Sequence, residues 1–102
     1  MTGAVFIYRW CVAAEHEAAF LARWRKATRD LGGRGSLGSL IGKNAAGELV
    51  AIALWPDAAS REAAFATDGD AEPWPPSERL ATEQIDPVSD MWNLEQWREL
   101  NR

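Results

Sequence analysis

Hydrophobic residues alternate along the first stretch of the chain with a period of two. Val5 to Val12 is rich in β-branched and aromatic residues, which is typical of a strand. One face would carry Phe6, Tyr8, Trp10 and Val12, and the other Val5, Ile7, Arg9 and Cys11. Because both faces are largely apolar, the pattern predicts that both are covered in the folded protein.

The spacing then changes to that of a helix. Glu15 to Leu31 places apolar residues at intervals of three and four, and the pair Gly32-Gly33 is expected to end the helix. The apolar stripe consists of Phe20, Trp24, Ala27 and Leu31, with Arg23, Lys26 and Asp30 turned outward. The sequence therefore predicts an amphipathic helix that covers one side of the first strand.

The central stretch predicts a hairpin followed by a helix. Ser36 to Gly42 and Leu49 to Trp55 are short apolar runs separated by a turn in which Asn44 and Gly47 can adopt a positive φ. Pro56 stops the second strand, and Asp57 can cap a helix from Ala58 to about Thr67.

The C-terminal third is richer in proline. Asp68 to Ser77 is predicted to be a loop that contains Trp74, and a short helical turn is expected from Ser77 to Leu80. Thr82 to Leu94 is predicted to contain the last extended segment, interrupted near Pro87, and the fourth strand is placed at Ser89 to Leu94. A terminal helical turn with Trp97 and Leu100 follows.

The predicted order is β-α-β-β-α-β. This is the α+β ferredoxin-like arrangement, a four-stranded antiparallel sheet with two helices on one face. The length of 102 residues fits a single domain, 1–102, and leaves one sheet face uncovered.

Composition narrows the classes of function. A net charge of −4 disfavours nucleic-acid binding, and no apolar run approaches the roughly 20 residues of a membrane span, so neither partner is expected. The one cysteine, Cys11, allows no internal disulfide and fits a reducing cytoplasm. His16 has no second histidine or cysteine at ligand spacing, so no metal site is expected.

Six tryptophans are unusual for a chain of this length. Tryptophan is costly to leave in water, so several are expected to line a pocket or an interface. The alternative, that they fill one core, stays open.

Two blocks of sequence carry a family resemblance. VFIYRWCVAAEHEAAFLARW and GSLGSLIGKNAAGELVAIALWPDAASREAA resemble the antibiotic biosynthesis monooxygenase (ABM) domain family of the dimeric α+β barrel superfamily, over roughly residues 4–67. The resemblance implies a homodimer in which two sheets face each other, with a pocket in each subunit between sheet and helices. Some members are oxygenases that act on phenols without a cofactor, others degrade haem, and many have no known reaction.

The cofactor-independent oxygenase interpretation needs an apolar pocket and a polar group that stabilises a phenolate or enolate. For this chemistry the candidate catalytic residues are Tyr8, Trp55 and Arg23. The candidate substrate-binding residues are Trp10, Phe20, Trp24 and Trp74, which would hold a small apolar or aromatic ligand. Packing is the alternative role for the aromatic residues, an ion pair for Arg9, and a turn for Asn44.

Haem degradation and ligand binding without catalysis are the alternatives to the oxygenase interpretation. The haem-degrading branch uses an asparagine on the first strand, a tryptophan in the second helix and a later histidine. This chain has Tyr8 and Ala64 at the first two positions and no histidine after His16, so no haem cofactor is expected. A dimer that binds a small molecule without catalysis fits the sequence as well as an enzyme does.

Overall fold

The chain folds as an α+β unit in the computed structural model, which describes residues 3–66 and 72–101. The elements in chain order are β1 (Ala4–Cys11), α1 (Ala14–Gly32), β2 (Ser39–Lys43), β3 (Leu49–Trp55), α2 (Ala58–Ala66), β4 (Glu78–Ile85) and α3 (Leu94–Leu100). This is the predicted β-α-β-β-α-β order with one short helix added at the C-terminus. Thr67 and the first four residues of the predicted proline-rich loop lie outside the described residues.

The four strands form one antiparallel sheet in the order β2-β3-β1-β4. β1 is central and pairs with β3 from Ala4 opposite Trp55 to Trp10 opposite Leu49. On its other side β1 pairs with β4, and the register shifts between Arg9 and Trp10. Such a shift bends a strand and increases its twist.

Alternation along β1 and β3 divides the sheet into two different faces. The face toward the helices is buried and carries Ala4, Phe6, Tyr8, Trp10, Leu49, Ala51, Ala53 and Trp55. Phe20 of α1 and Ala64 of α2 complete this core. The opposite face is only half-buried along Val5, Ile7, Val50, Ile52 and Leu54. The prediction that the two main helices, α1 and α2, pack on one face of the sheet is confirmed.

The hairpin between β2 and β3 is held by Asn44. Its Oδ1 accepts hydrogen bonds from the backbone N–H groups of Ala46 and Glu48, and Gly47 adopts a φ of 80°. The side chain of Glu48 in turn accepts from Arg9 at 2.9 Å, which links β1 to the turn. The alternative roles considered for both residues, a turn for Asn44 and a cross-strand ion pair for Arg9, are the ones that the structure shows.

The predicted position of the fourth strand was wrong. β4 spans Glu78–Ile85, so its first half replaces the expected helical turn and its second half lies within the extended segment predicted from Thr82 to Leu94. Ser89 to Leu94, where the strand itself was placed, instead leads into α3. β4 is a mostly exposed edge strand with a polar sequence, so it lacks the apolar alternation that marks the other strands. Asn93 caps α3 by accepting from the backbone N–H of Gln96, and the predicted terminal helical turn is confirmed.

The N-terminus of α2 provides a test of the fold, because Asp57 accepts a 2.7 Å hydrogen bond from the backbone N–H of Ser60. This bond lowers the pKa of Asp57 below its usual value of 3.8. Because the pKa of Asp57 is lower in the folded protein than in the unfolded chain, the carboxylate stabilises the fold fully at pH values above its unfolded-state pKa. This stabilisation is lost as the pH falls through its folded-state pKa.

We expect Asp57→Ala to lower the thermal midpoint at pH 7, since the cap is removed, and Asp57→Asn to keep most of the cap. Between pH 5 and pH 2 the wild-type midpoint should fall more steeply than that of Asp57→Asn. Circular dichroism melts across this range measure both effects. Glu62→Gln, an exposed change on the same helix, is the control, and a slope for Asp57→Asn equal to the wild type would contradict the assignment.

Candidate active site

A cavity of about 550 Å³ lies between the sheet and the helices. Its wall is built by the helix-facing sides of β1 and β3, by α1 and α2, by the start of β4 and by the segment around Trp74. The volume is in the range of small-molecule sites. The cavity occupies the place where the sequence predicted one.

Four aromatic rings contact one another in a row beside the cavity. Tyr8 and Trp10 are stacked with ring centroids 5.7 Å apart and an angle of 19° between their planes. The ring of Phe20 meets that of Trp10 edge-on, with centroids 5.2 Å apart, and is tilted by 50° against that of Trp74, with centroids 5.3 Å apart. Tyr8, Trp10 and Trp74 line the cavity, whereas Phe20 is fully buried and is not among the lining residues. Phe20 therefore supports two rings of the wall from behind.

The segment that carries Trp74 is attached to α1 through Arg23. The guanidinium of Arg23 lies over the Trp74 ring at 4.4 Å, and its Nη2 donates a 3.0 Å hydrogen bond to the backbone carbonyl of Glu72. Lys26, one turn further along α1, forms an ion pair with the Glu72 carboxylate. Arg23 is buried, contrary to the outward position expected from the helical pattern, because Trp74 and Glu72 cover it.

Tyr8 supplies a hydroxyl group at the cavity wall. Its oxygen accepts a 2.7 Å hydrogen bond from Nε of Arg61, a residue of α2. The Arg61 guanidinium also lies over the rings of Phe6 and Phe65, at 4.3 and 4.5 Å. Since Arg61 donates to the phenol oxygen, the phenol proton is left to donate to another acceptor.

Trp55 lies at the end of β3 and lines the same cavity. It is 1% exposed and meets Phe65 of α2 edge-on, with ring centroids 6.0 Å apart. The expectation that Trp55 lies beside a pocket and not on open surface is confirmed.

The structure thus brings six of the seven predicted site residues to one cavity. They are Tyr8, Trp10, Arg23, Trp24, Trp55 and Trp74. Their catalytic or binding roles stay predictions. Arg9 lies on the other sheet face with Glu48, so it does not share this site.

Sequence reasoning missed three arginines that line the cavity, Arg34, Arg61 and Arg79. Arg61 precedes Ala64 and Phe65 by three and four residues, a helical spacing that would have placed it on the inward side of α2. Arg79 was missed because its strand was assigned to a helical turn.

Among the described residues that line the cavity, positive charge prevails although the chain is acidic. These residues include four arginines and two carboxylates, Asp30 and Glu72, while the whole chain carries −4. Within residues 3–66 and 72–101 there is no group of three or more metal-ligand side chains, and His16 is not part of the lining. No helix in that part of the chain is long and apolar enough to cross a bilayer.

Substitutions of two alanines on β3 test whether the cavity is empty of protein side chains in solution. Ala53 lines the cavity, whereas Ala51, on the same sheet face, is 1% exposed and does not. We expect Ala51→Leu to lower the free energy of unfolding by about 1–3 kcal/mol, because a filled core is overpacked. Ala53→Leu should lower the free energy of unfolding by clearly less, because the new leucine side chain extends into the cavity. Urea denaturation compares the two variants, and equal losses would show that the cavity is filled by packing in solution.

No family model and no curated protein sequence matches the chain significantly, but solved structures do. The N63A mutant of SnoaB, a cofactor-independent oxygenase from Streptomyces nogalater, matches with a TM-score of 0.68 and 18% identity over 87% of this chain and 96% of that one. The haem-degrading protein Rv3592 from Mycobacterium tuberculosis matches with a TM-score of 0.70 and 14% identity, over 90% and 98%.

A third structure, the NE2512 protein of unknown function from Nitrosomonas europaea, matches with a TM-score of 0.62 and 15% identity, over 90% and 95% of the two chains. Each match covers nearly the whole of the known structure. At these identities the likeness concerns the backbone, and the same backbone carries different reactions. The chain therefore has the ferredoxin-like α+β fold that these proteins share.

Proposed function

We propose that this protein is a cofactor-independent monooxygenase that oxidises a small aromatic phenol, quinol or polyketide-like substrate. The observation that carries the proposal is the Tyr8 hydroxyl, which Arg61 orients at 2.7 Å within a cavity walled by aromatic rings. The fold shared with an oxygenase that needs no cofactor supports it. We also propose that the chain belongs to the ABM domain family, as its sequence resemblance implies.

The reaction needs a substrate that becomes an electron-rich anion. In an anthrone-type substrate, loss of a proton from the CH2 group to solvent gives an enolate whose charge resides largely on oxygen. The Tyr8 O–H would donate a hydrogen bond to that oxygen, and the nearby Arg61 guanidinium would stabilise the negative charge. Both interactions are stronger with the anion than with the neutral substrate, so they favour its formation.

Dioxygen then reacts directly with the bound anion. One electron passes to O2 and gives superoxide and a substrate radical, which combine to form a C–O bond. The resulting peroxide anion takes up a proton from solvent, which replaces the one lost when the enolate formed. When the O–O bond breaks, the remaining C–H proton and the distal hydroxide leave as water, and the carbon becomes a ketone. One oxygen atom enters the product and the other leaves as water. The substrate supplies all the electrons, so no external reductant is required.

The tryptophans would bind the substrate and exclude water from this reaction. Trp10, Trp24, Trp55 and Trp74 line the cavity, and a flat aromatic substrate would stack against such rings. A dry environment strengthens the hydrogen bond from Tyr8 and limits side reactions of the radical pair with water.

We also propose that two copies associate through the sheet face that bears no helices. That face presents Ile7 opposite Ile52 at its centre, with Leu40 and Ile85 toward the edges. The radius of gyration is 14.2 Å, against about 12.8 Å expected for a compact chain of this length. The accessible surface of 7118 Å² likewise exceeds the roughly 5,700 Å² expected for a monomer of this mass. A second copy would cover the apolar side chains of this face.

Oxygen uptake tests the proposed reaction. We expect purified protein to consume O2 with anthrone or a hydroquinone in the absence of any added cofactor. Tyr8→Phe should lower kcat/KM about tenfold to a hundredfold, because the oriented hydroxyl is lost while the ring remains. Its thermal midpoint should stay close to that of the wild type.

Ala53→Leu offers a second variant that retains Tyr8 but fills part of the cavity, and it should raise KM. An oxygen electrode together with product absorbance measures all three proteins. Binding of these aromatics without uptake would instead favour a non-catalytic binding protein. Unchanged turnover in Tyr8→Phe would assign Tyr8 to packing.

Light scattering tests the proposed dimer. We expect the wild type to have the mass of a dimer at micromolar concentration and Ile52→Lys to be a monomer, since a charge would be buried at the centre of the interface. Ala22→Lys places the same charge on the exposed side of α1 and should leave the mass unchanged. A monomeric wild type would rule out the dimer.

A further inference from the structure

We propose that the cavity binds an aromatic carboxylate, and that Arg61 and Arg79 together form the subsite for its acid group. The inference rests on the proposed function in that it names the class of substrate for the same cavity. It requires only binding, so it can be tested without turnover.

Two guanidinium groups from different elements converge on one aromatic ring. Arg61 of α2 lies 5.5 Å from the centroid of the Tyr8 ring, and Arg79 of β4 lies 5.7 Å from the same centroid. Both residues line the cavity. Both guanidinium groups thus lie within about 6 Å of the centre of one ring, and an anion bound beside that ring would be attracted by both charges.

The protein does not supply that anion from its described part. The ion pairs among residues 3–66 and 72–101 include Arg9 with Glu48, Lys26 with Glu72 and Lys43 with Glu17, but none contains Arg61 or Arg79. Acidic residues are abundant, 15 against 11 basic ones, so carboxylates are not scarce in this chain. The geometry therefore leaves the role of counterion at these two arginines to a bound ligand.

In the part of the chain that the structure describes, the contacts of Arg61 involve its Nε and the flat faces of its guanidinium, not its two terminal nitrogens. Of the hydrogen bonds within the described residues, Arg61 contributes the one from Nε to Tyr8. The flat faces of its guanidinium lie against the rings of Phe6 and Phe65. The two terminal nitrogens thus remain available for a carboxylate, which matches the spacing of a guanidinium fork.

The rest of the cavity sets the shape of the ligand. Beyond the Tyr8 ring the wall continues through Trp10 and Trp74, so a fused aromatic system can stack there while its acid group meets the arginines. A volume of about 550 Å³ accommodates two or three fused rings. A carboxylate attached to such a ring system satisfies both the charged and the apolar parts of the lining.

Isothermal titration calorimetry with two matched probes tests the subsite. The probes are 2-naphthoate and 2-naphthamide, which share shape and ring system but differ in charge. At pH 7 and low salt we expect the wild type to bind the carboxylate at least about tenfold more tightly than the amide. The preference should shrink as salt is added, because it depends on charge.

Arg79→Gln and Arg61→Gln should each reduce the preference severalfold, and the double variant should abolish it. Arg25→Gln, an exposed change on α1 outside the cavity, should retain it. Because the wild-type comparison involves no substitution, it remains decisive even if a variant fails to fold.

Equal binding of the two probes, or binding of neither, would overturn the subsite, as would a preference that survives in the double variant. Oxygen uptake with neutral anthrone and no carboxylate preference would leave the oxygenase and reject the subsite. Carboxylate preference without uptake by any aromatic would retain the subsite and reject the oxygenase.

Discussion

The cavity depends on one feature of the sheet, the pairing of aromatic side chains on β1 with alanines on β3. Phe6 is opposite Ala53 and Tyr8 is opposite Ala51, all four on the face toward the helices. A large residue beside a small one leaves space above the small one, and at Ala53 the helices do not fill it, whereas at Ala51 they do. A leucine on β3 at Ala53 would occupy part of the cavity.

The same pairing explains why the charged groups can reach the interior. Arg61 and Arg23 extend from the helices across the space and end on aromatic rings, where the faces of Tyr8, Phe6 and Trp74 compensate part of the lost hydration. A guanidinium is well suited to this environment because it is weakly hydrated and flat. The result is an apolar slot with positive charge at its wall, inside a chain that is acidic overall.

The two faces of the sheet have different surroundings. The buried face forms the cavity, while the opposite face, with Val5, Ile7, Ile52 and Leu54, is only half-buried. Solved structures of the same fold include an oxygenase and a haem-degrading protein, so this division is compatible with more than one reaction. In this chain the described lining of the cavity is aromatic and arginine-rich.

The sequence by itself determined the order of elements through β3 and α2, because strong alternation on β1, uninterrupted apolar residues on β3 and the cap at Asp57 are local signals. It also predicted that Tyr8, Trp10, Trp24 and Trp55 would meet at one place, since a fold and a period of two fix which side chains share a face. Local signals failed at β4, whose polar, exposed sequence becomes a strand only because β1 offers it a free edge.

Only the tertiary structure decided the electrostatics of the site. Arg79 reaches the cavity through the pairing of β4 with β1, and Arg61 reaches Tyr8 across 53 positions of sequence. Arg23 was expected to point outward, and it is buried because a distant segment with Glu72 and Trp74 folds over it. Contacts between residues far apart in sequence leave no periodic trace in either segment. The aromatic wall could therefore be predicted from the sequence, whereas the contacts of Arg23 with Trp74 and of Arg61 and Arg79 with Tyr8 could not.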